Sequence, residues 1–120
     1  MSDALLEQIK SDISSNKVML YMKGTPDMPK CGFSFKAVEI LKSLDVQFES
    51  MDILPDPNIR MVLSEHSNWP TIPQLFVDGK LIGGSDIMMD MYESGDLQET
   101  LGNAGAYDGS SKETTESEEE

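Results

Sequence analysis

The five residues Val18 to Met22 form a nearly continuous apolar run, and this run constrains the fold of the 120-residue chain more than any other feature. Strands that are covered on both faces have this pattern, whereas strands with one exposed face alternate apolar and polar residues. The next segment, residues 23–30, contains two prolines and a glycine, which interrupt helices and strands alike. We therefore predict a doubly buried strand that ends in a loop.

The rest of the chain supplies further helices and strands in a regular order. Apolar spacing predicts four helical regions. The first covers 4–15, the second runs from Cys31 or the next residue to 44, the third starts at 56, and the fourth covers 85–101 with a break near 95. It also predicts a second strand over 46–53 and a hairpin over 74–82 with Asp78-Gly79 at its turn. Ser85 or Asp86 is the expected N-cap of the last helical region.

This order joins a βαβ unit to a ββα unit, which predicts an α/β protein with a thioredoxin-like fold, a four-stranded mixed sheet flanked by helices. Tyr21 and Phe76 are expected in the strand core, and Met88, Met89 and Met91 as core filling or a contact surface. The length suits one compact domain, residues 1–107. Residues 108–120 hold six acidic residues, one lysine and no apolar residue, which predicts a disordered acidic tail.

Charge and cysteine content limit the function classes. A net charge of -13 argues against nucleic acid and anionic membranes as partners, because both are bound through basic surfaces. No apolar run is long enough to span a membrane, and the first residues do not resemble a signal peptide. One unpaired cysteine fits a reducing compartment, so we predict a cytoplasmic protein.

Cys31 is the only cysteine, and Ser34 stands where a dithiol redox protein would carry its second thiol. Its expected place at the start of a helix exposes the sulfur to unpaired amides and to the positive end of the helix dipole, and both favour the thiolate. Lys23, Lys30 and Lys36 add to this effect if they lie close. A lone thiolate needs a second sulfur from a small thiol, another chain or a metal centre.

Four motifs in order resemble the short, single-domain monothiol glutaredoxins with a Cys-Gly-Phe-Ser site. They are Lys23-Gly24-Thr25-Pro26 with Pro29, Cys31-Gly32-Phe33-Ser34, Trp69-Pro70-Thr71-Ile72-Pro73-Gln74, and Gly83-Gly84-Ser85-Asp86. The resemblance covers about residues 4–105. It implies glutathione as ligand, a 2Fe-2S cluster held by a homodimer for storage or transfer and iron homeostasis, a BolA-like heterodimer partner, and iron-sulfur recipient proteins.

The resemblance also implies a set of glutathione contacts. Lys23 and Arg60 would hold the glycyl carboxylate, Ile72 before a cis Pro73 would pair with the cysteinyl amides, and Ser85 and Asp86 would bind the γ-glutamyl end. Cys31, Phe33, Thr71 and Gly84 complete the set. Glutathione carries two carboxylates and an ammonium, so cations, a carboxylate and free amides suit it. Many relatives carry a second cysteine where this chain has Ser85, so no disulfide with Cys31 can form within one chain.

The cluster expectation follows from counting thiolates. A common 2Fe-2S centre takes four, and each chain offers only one, that of Cys31. Two chains and two glutathiones would supply four, so we predict a dimeric, glutathione-dependent cluster.

Other functions remain open. Cys31 alone could reduce protein-glutathione mixed disulfides, although the long step from Lys23 to Cys31 is associated in the family with poor turnover. Zinc binding by Cys31 and His66 lacks the usual ligand spacing. The simpler interpretations are that His66 lies near the end of a helix and that Trp69 anchors a loop.

Overall fold

The computed structural model describes residues 2–108, with side chains from Ala4 onwards. The elements in chain order are α1 (Ser2–Ser15), β1 (Val18–Met22), α2 (Gly32–Ser43), β2 (Glu49–Asp52), α3 (Pro57–Ser67), β3 (Gln74–Val77), β4 (Lys80–Gly83), α4 (Ser85–Ser94) and α5 (Asp96–Asn103). The predicted acidic tail lies outside the described residues apart from Asp108. None of the helices in the described part is long and apolar enough to cross a membrane.

The four strands form one mixed sheet in the order β2-β1-β3-β4. Strand β1 pairs in parallel with β2 and antiparallel with β3, so that Leu20 lies between Ser50 and Leu75. Strands β3 and β4 form the predicted hairpin, and both turn residues, Asp78 and Gly79, have positive φ angles of 54° and 81°. Such angles are typical of a tight two-residue turn. The predicted thioredoxin-like sheet is confirmed.

Both faces of β1 are buried, as the apolar run predicts. Val18, Leu20 and Met22 pack into one cluster with residues of α2, α4 and α5, while Met19 and Tyr21 pack into another with residues of α1 and α3. Burial of a large apolar side chain contributes about 1.5–3 kcal/mol. Strand β1 therefore joins the two layers of the core. Tyr21 and Phe76 meet edge to face, with ring centroids 5.9 Å apart.

One predicted boundary is wrong. The second strand begins at Glu49, not at Val46. The N–H of Val46 donates to the carbonyl oxygen of Leu41 at 3.1 Å, and Asp45 has a φ of 58°. Residues 44–46 therefore still complete the end of α2, and an alternating pattern at 46–49 does not reveal this because Val46 is buried in either case.

The order of the sheet brings three helix starts to one edge. Strands β1, β2 and β4 run in the same direction, because β3 is antiparallel to both of its neighbours. Helices α2, α3 and α4 begin just after these strands, at Gly32, Pro57 and Ser85. The positive dipole ends of all three helices therefore lie at the end of the sheet that carries Cys31.

Candidate functional site

The loop before Cys31 is fixed by hydrogen bonds at both ends. The N–H of Gly24 donates to Asp52 Oδ1 at 2.9 Å, and the N–H of Lys30 donates to the carbonyl oxygen of Lys23 at 2.9 Å. Gly24 has a φ of 89°, and a Cβ there would collide with the carbonyl oxygen of Met28. Only glycine fits this position without strain, so it sets the path by which the chain reaches Cys31.

Cys31 is the N-cap residue of α2, is partly exposed, and makes no side-chain capping hydrogen bond. The backbone N–H of Ser34 is the main cause that lowers the pKa of the thiol below its ordinary value. Burial opposes this shift, whereas the N–H of Phe33, the charge of Lys23 and the Ser34 hydroxyl favour it. The lysine whose charge contributes is therefore Lys23. The predicted thiolate at a helix start is supported by the geometry.

Ser34 has a second contact that the sequence did not indicate. Its side chain is fully buried, and its Oγ accepts a hydrogen bond from the N–H of Lys23 at 3.0 Å. The same hydroxyl is the smallest of the contributions that lower the pKa of the Cys31 thiol. Ser34 thus binds the end of β1 and favours the thiolate, at the position where a dithiol protein would carry a sulfur.

Asp52 is another residue that sequence reasoning missed. Its Oδ1 accepts from the N–H of Leu54 at 3.0 Å as well as from that of Gly24. One carboxylate therefore joins the two loops that leave β1 and β2. A short acid at the end of a strand carries no sequence signal for this role.

A groove of about 220 Å³ brings together most of the predicted glutathione contacts. Its lining consists of Phe33, Trp69, Thr71, Ile72, Pro73, Gly84, Ser85, Asp86 and Ile87. Seven of the ten predicted residues are in this set, and Trp69 and Ile87 are additions. The peptide bond between Ile72 and Pro73 is cis, as the resemblance implied.

The start of α4 differs from the prediction in its cap. Gly84, not Ser85 or Asp86, is the N-cap residue, and it offers no side-chain cap. Ser85 is the first helical residue and is buried. A Cβ on Gly84 would lie 3.2 Å from the carbonyl oxygen of Pro73, so the missing side chain permits this close approach. Without a capping side chain, the first amides of α4 can receive an anion.

Lys23 and Arg60 lie in a different, larger groove of about 710 Å³ between α3 and the loops after β1 and β2. Arg60 Nη2 donates to the carbonyl oxygen of Pro70 at 3.3 Å. Pro70 lines this groove and directly precedes Thr71 of the smaller groove. The guanidinium is thus placed where the two grooves approach each other.

The remaining candidates have structural roles. His66 lies in the last turn of α3. Within residues 2–108, no three His, Cys, Asp or Glu side chains are close enough to hold a metal ion. Met88 is fully buried, and Met89 and Met91 pack partly buried against the same cluster.

The sequence matches known proteins along most of its length. Residues 18–82 match the family described as Glutaredoxin. The chain is 56% identical over 89 residues to monothiol glutaredoxin-S7, chloroplastic, of Oryza sativa subsp. japonica, a match that covers 74% of this chain and 53% of that protein, or about half its length. It is 50% identical over 101 residues to glutaredoxin 4 of Pasteurella multocida, covering 84% of this chain and 93% of the relative.

Solved structures give the same result. Reduced poplar apo GrxS14, determined in solution, superposes with a TM-score of 0.75 and 49% identity over 83% of this chain and 92% of its own. A buckwheat glutaredoxin in complex with glutathione superposes with a TM-score of 0.80 over 89% of this chain and 96% of its own. At 22% identity, the second comparison establishes the fold alone.

Proposed function

The chain belongs to the monothiol glutaredoxins, and from this premise we propose that it binds glutathione beside Cys31 and, with a second copy, holds a 2Fe-2S cluster for storage or transfer. The observation that carries the proposal is a groove that collects seven of the expected ligand residues, among them Phe33, which follows the lowered-pKa thiol of Cys31 by two residues. A function in iron homeostasis follows from cluster transfer.

Each end of glutathione has a complementary group at the site. The uncapped amides at the start of α4 suit the γ-glutamyl carboxylate, and the Asp86 carboxylate suits its ammonium group. Backbone groups of Ile72 in the same groove suit the cysteinyl amides. Lys23 and Arg60 supply two cations for the glycyl carboxylate. In this pose the tripeptide thiol lies beside Cys31.

The donor set also suits a shared cluster. A 2Fe-2S centre, when bound, supplies an inorganic core that can be passed to a recipient, and its irons take thiolate ligands. Cys31 is partly exposed and has a lowered pKa, so its sulfur is available in the ligand form at the surface. Because it is the only cysteine, the remaining ligands must come from glutathione and a second chain.

Reconstitution without oxygen tests this proposal. Iron and sulfide are added to the wild-type chain with and without glutathione, and visible absorption and solution mass are measured together. We expect colour and a dimer only with glutathione, and neither in Cys31→Ser. A coloured monomer that keeps its iron after removal of small thiols would contradict the proposal.

Reduction of protein-glutathione mixed disulfides is the second candidate function. Cys31 is partly exposed, and a Cβ on the next residue, Gly32, would meet no other part of the fold within 4 Å, which suits the approach of a bulky disulfide. The Cys31 thiolate would attack the glutathionyl sulfur and release the protein thiolate, which takes up a proton. A second glutathione would then reduce the Cys31-glutathione disulfide and leave as oxidised glutathione. Rapid turnover of a glutathionylated protein, with no cluster formed, would favour this activity.

A BolA-like partner, iron-sulfur recipients and a cytoplasmic location remain predictions. The relatives include a protein named as chloroplastic and one from a bacterium, so they are compatible with more than one compartment. Fractionation of the cells that make this chain, with an antibody against it, tests the location.

A further inference from the structure

The larger groove contains residues that the proposed function leaves without a role. Lys23 and Arg60 are assigned to the glycyl carboxylate, but Leu54, Met61 and Ser64 also line this groove. Its volume of about 710 Å³ exceeds the 220 Å³ of the groove that holds the other expected contacts. One carboxylate from glutathione does not fill it, so a further occupant has room there.

Apolar side chains are exposed around this groove. Leu54 is 48% exposed and Met61 is 54% exposed. The other large apolar residues exposed in the described part of the chain, Met28, Phe33 and Phe35, lie in the loop before Cys31 and the first turn of α2. Clustered apolar exposure at one end of a molecule marks an interaction surface. The end of the sheet that carries Cys31 is therefore suited to contact another macromolecule.

The lining of the groove indicates what kind of group enters it. Leu54 and Met61 supply an exposed apolar wall, and Lys23 and Arg60 supply cationic donors. Alternate side chains of an extended polypeptide point in opposite directions, so such a segment can set apolar side chains against the wall while the others reach the cations.

Charge selects among possible occupants. The groove is lined by two cations, Lys23 and Arg60, and one acid, Glu65, on a chain with a net charge of -13. Segment 109–120 of this chain is acidic but has no apolar residue to cover Leu54 and Met61. In the proposed cluster-bound dimer the glycyl carboxylates of glutathione neutralise Lys23 and Arg60, whereas a second copy seated directly in this groove would set its own Lys23 and Arg60 against the same two cations.

We propose that this groove docks an extended segment of a partner protein that carries both apolar and acidic side chains. Docking there places the partner alongside Cys31, because Lys23 both lines the groove and acts on the thiolate. The purpose of the contact, transfer of a cluster to the partner, rests on the proposed function. Binding of a peptide in the groove can be measured whether or not a cluster is present.

Fluorescence anisotropy with two labelled decapeptides tests the proposal. One peptide alternates leucine with glutamate, and the other alternates leucine with lysine. We expect the glutamate peptide to bind the wild-type chain about tenfold more tightly than the lysine peptide. A tenfold ratio of dissociation constants corresponds to a difference of about 1.4 kcal/mol in binding free energy. Met61→Gln, which removes the apolar contact without adding a charge, should weaken binding of the glutamate peptide by a similar factor. Met28→Gln is the matched control, because Met28 is 63% exposed at the same end but does not line the groove.

The fluorescence of Trp69, the only tryptophan, separates this proposal from the glutathione site, because Trp69 lines the smaller groove. Met61→Gln should still show the wild-type response to glutathione while it loses the peptide. Equal binding of both peptides, no binding, or the same loss in Met28→Gln would overturn the proposal. So would a cluster-free dimer that Met61→Gln dissociates, because the occupant would then be a second copy. A chain that binds the peptide but not glutathione would refute the proposed function alone.

Discussion

Replacement of Ser34 by alanine tests how the fold prepares the thiolate. The substitution removes a hydroxyl that accepts a hydrogen bond from the N–H of Lys23 and contributes to the lowered pKa of Cys31. Because Ser34 is fully buried, water cannot easily replace the lost acceptor. A buried N–H left without a partner costs about 1–3 kcal/mol. We expect the free energy of unfolding of Ser34→Ala to fall by about that amount.

The same substitution should raise the pKa of Cys31, because the hydroxyl is one of the groups that lower it. The main cause, the backbone N–H of Ser34, remains in the variant, so the pKa should stay below the ordinary thiol value. The absorbance of the thiolate near 240 nm, followed against pH, measures the shift. Urea denaturation at neutral pH measures the change in stability.

Ser43→Ala is the matched control. Ser43 lies at the other end of α2, and its Oγ donates to the carbonyl oxygen of Ile40 at 2.8 Å without contact to the site. It should leave the pKa of Cys31 unchanged. An unaltered pKa in Ser34→Ala, or equal shifts in both variants, would refute the assigned role of the Ser34 hydroxyl.

Three further substitutions or conditions test other parts of the structure. Gly24→Ala should lower the free energy of unfolding by about 1–3 kcal/mol, because the φ of 89° and the Met28 carbonyl oxygen oppose a side chain there. Urea denaturation measures this, and Gly32→Ala, where a Cβ meets nothing within 4 Å, should show no such loss. Tyr21→Phe should raise the melting temperature, since the buried hydroxyl has no partner in residues 4–108. Its removal should raise the free energy of unfolding by about 1 kcal/mol. A lower melting temperature would contradict this reasoning. Raising the salt from about 0.01 M to about 0.15 M should lower the pKa of Cys31. The distant acids of this chain, whose net charge is -13, raise that pKa, and salt screens them more than it screens Lys23. A rise in the pKa would show that the effect of Lys23 is the larger one.

Local patterns allowed most of the fold to be predicted from the sequence. Strand β1 and the hairpin were predicted correctly because their burial and their Asp78-Gly79 turn are encoded by adjacent residues. The start of β2 was predicted wrongly, since it depends on a hydrogen bond from Val46 to the end of α2. Sequence patterns predict elements well where the determining contacts are local, and less well where another element decides the boundary.

In the candidate site, too, the residues that adjacent sequence positions determine were predicted and the others were missed. The residues of the smaller groove follow one another in two short motifs, Thr71–Pro73 and Gly84–Asp86, so the sequence marks them together. The roles of Ser34 and Asp52 depend on which backbone amide the fold places beside each side chain. No spacing along the chain contains that information.

The three helix starts around Cys31 differ in a way that explains which of them can serve a ligand. Asp56 caps α3 and accepts a hydrogen bond from the N–H of Asn58 at 3.0 Å, so that amide is already in use. Cys31 and Gly84, the N-cap residues of α2 and α4, make no side-chain capping bond. A serine or aspartate at Gly84 would stabilise α4 by about 1 kcal/mol but would compete with an incoming carboxylate for the same amides, and at Cys31 it would replace the sulfur itself. The site therefore depends as much on the absence of a capping side chain at Gly84 as on the presence of the thiol.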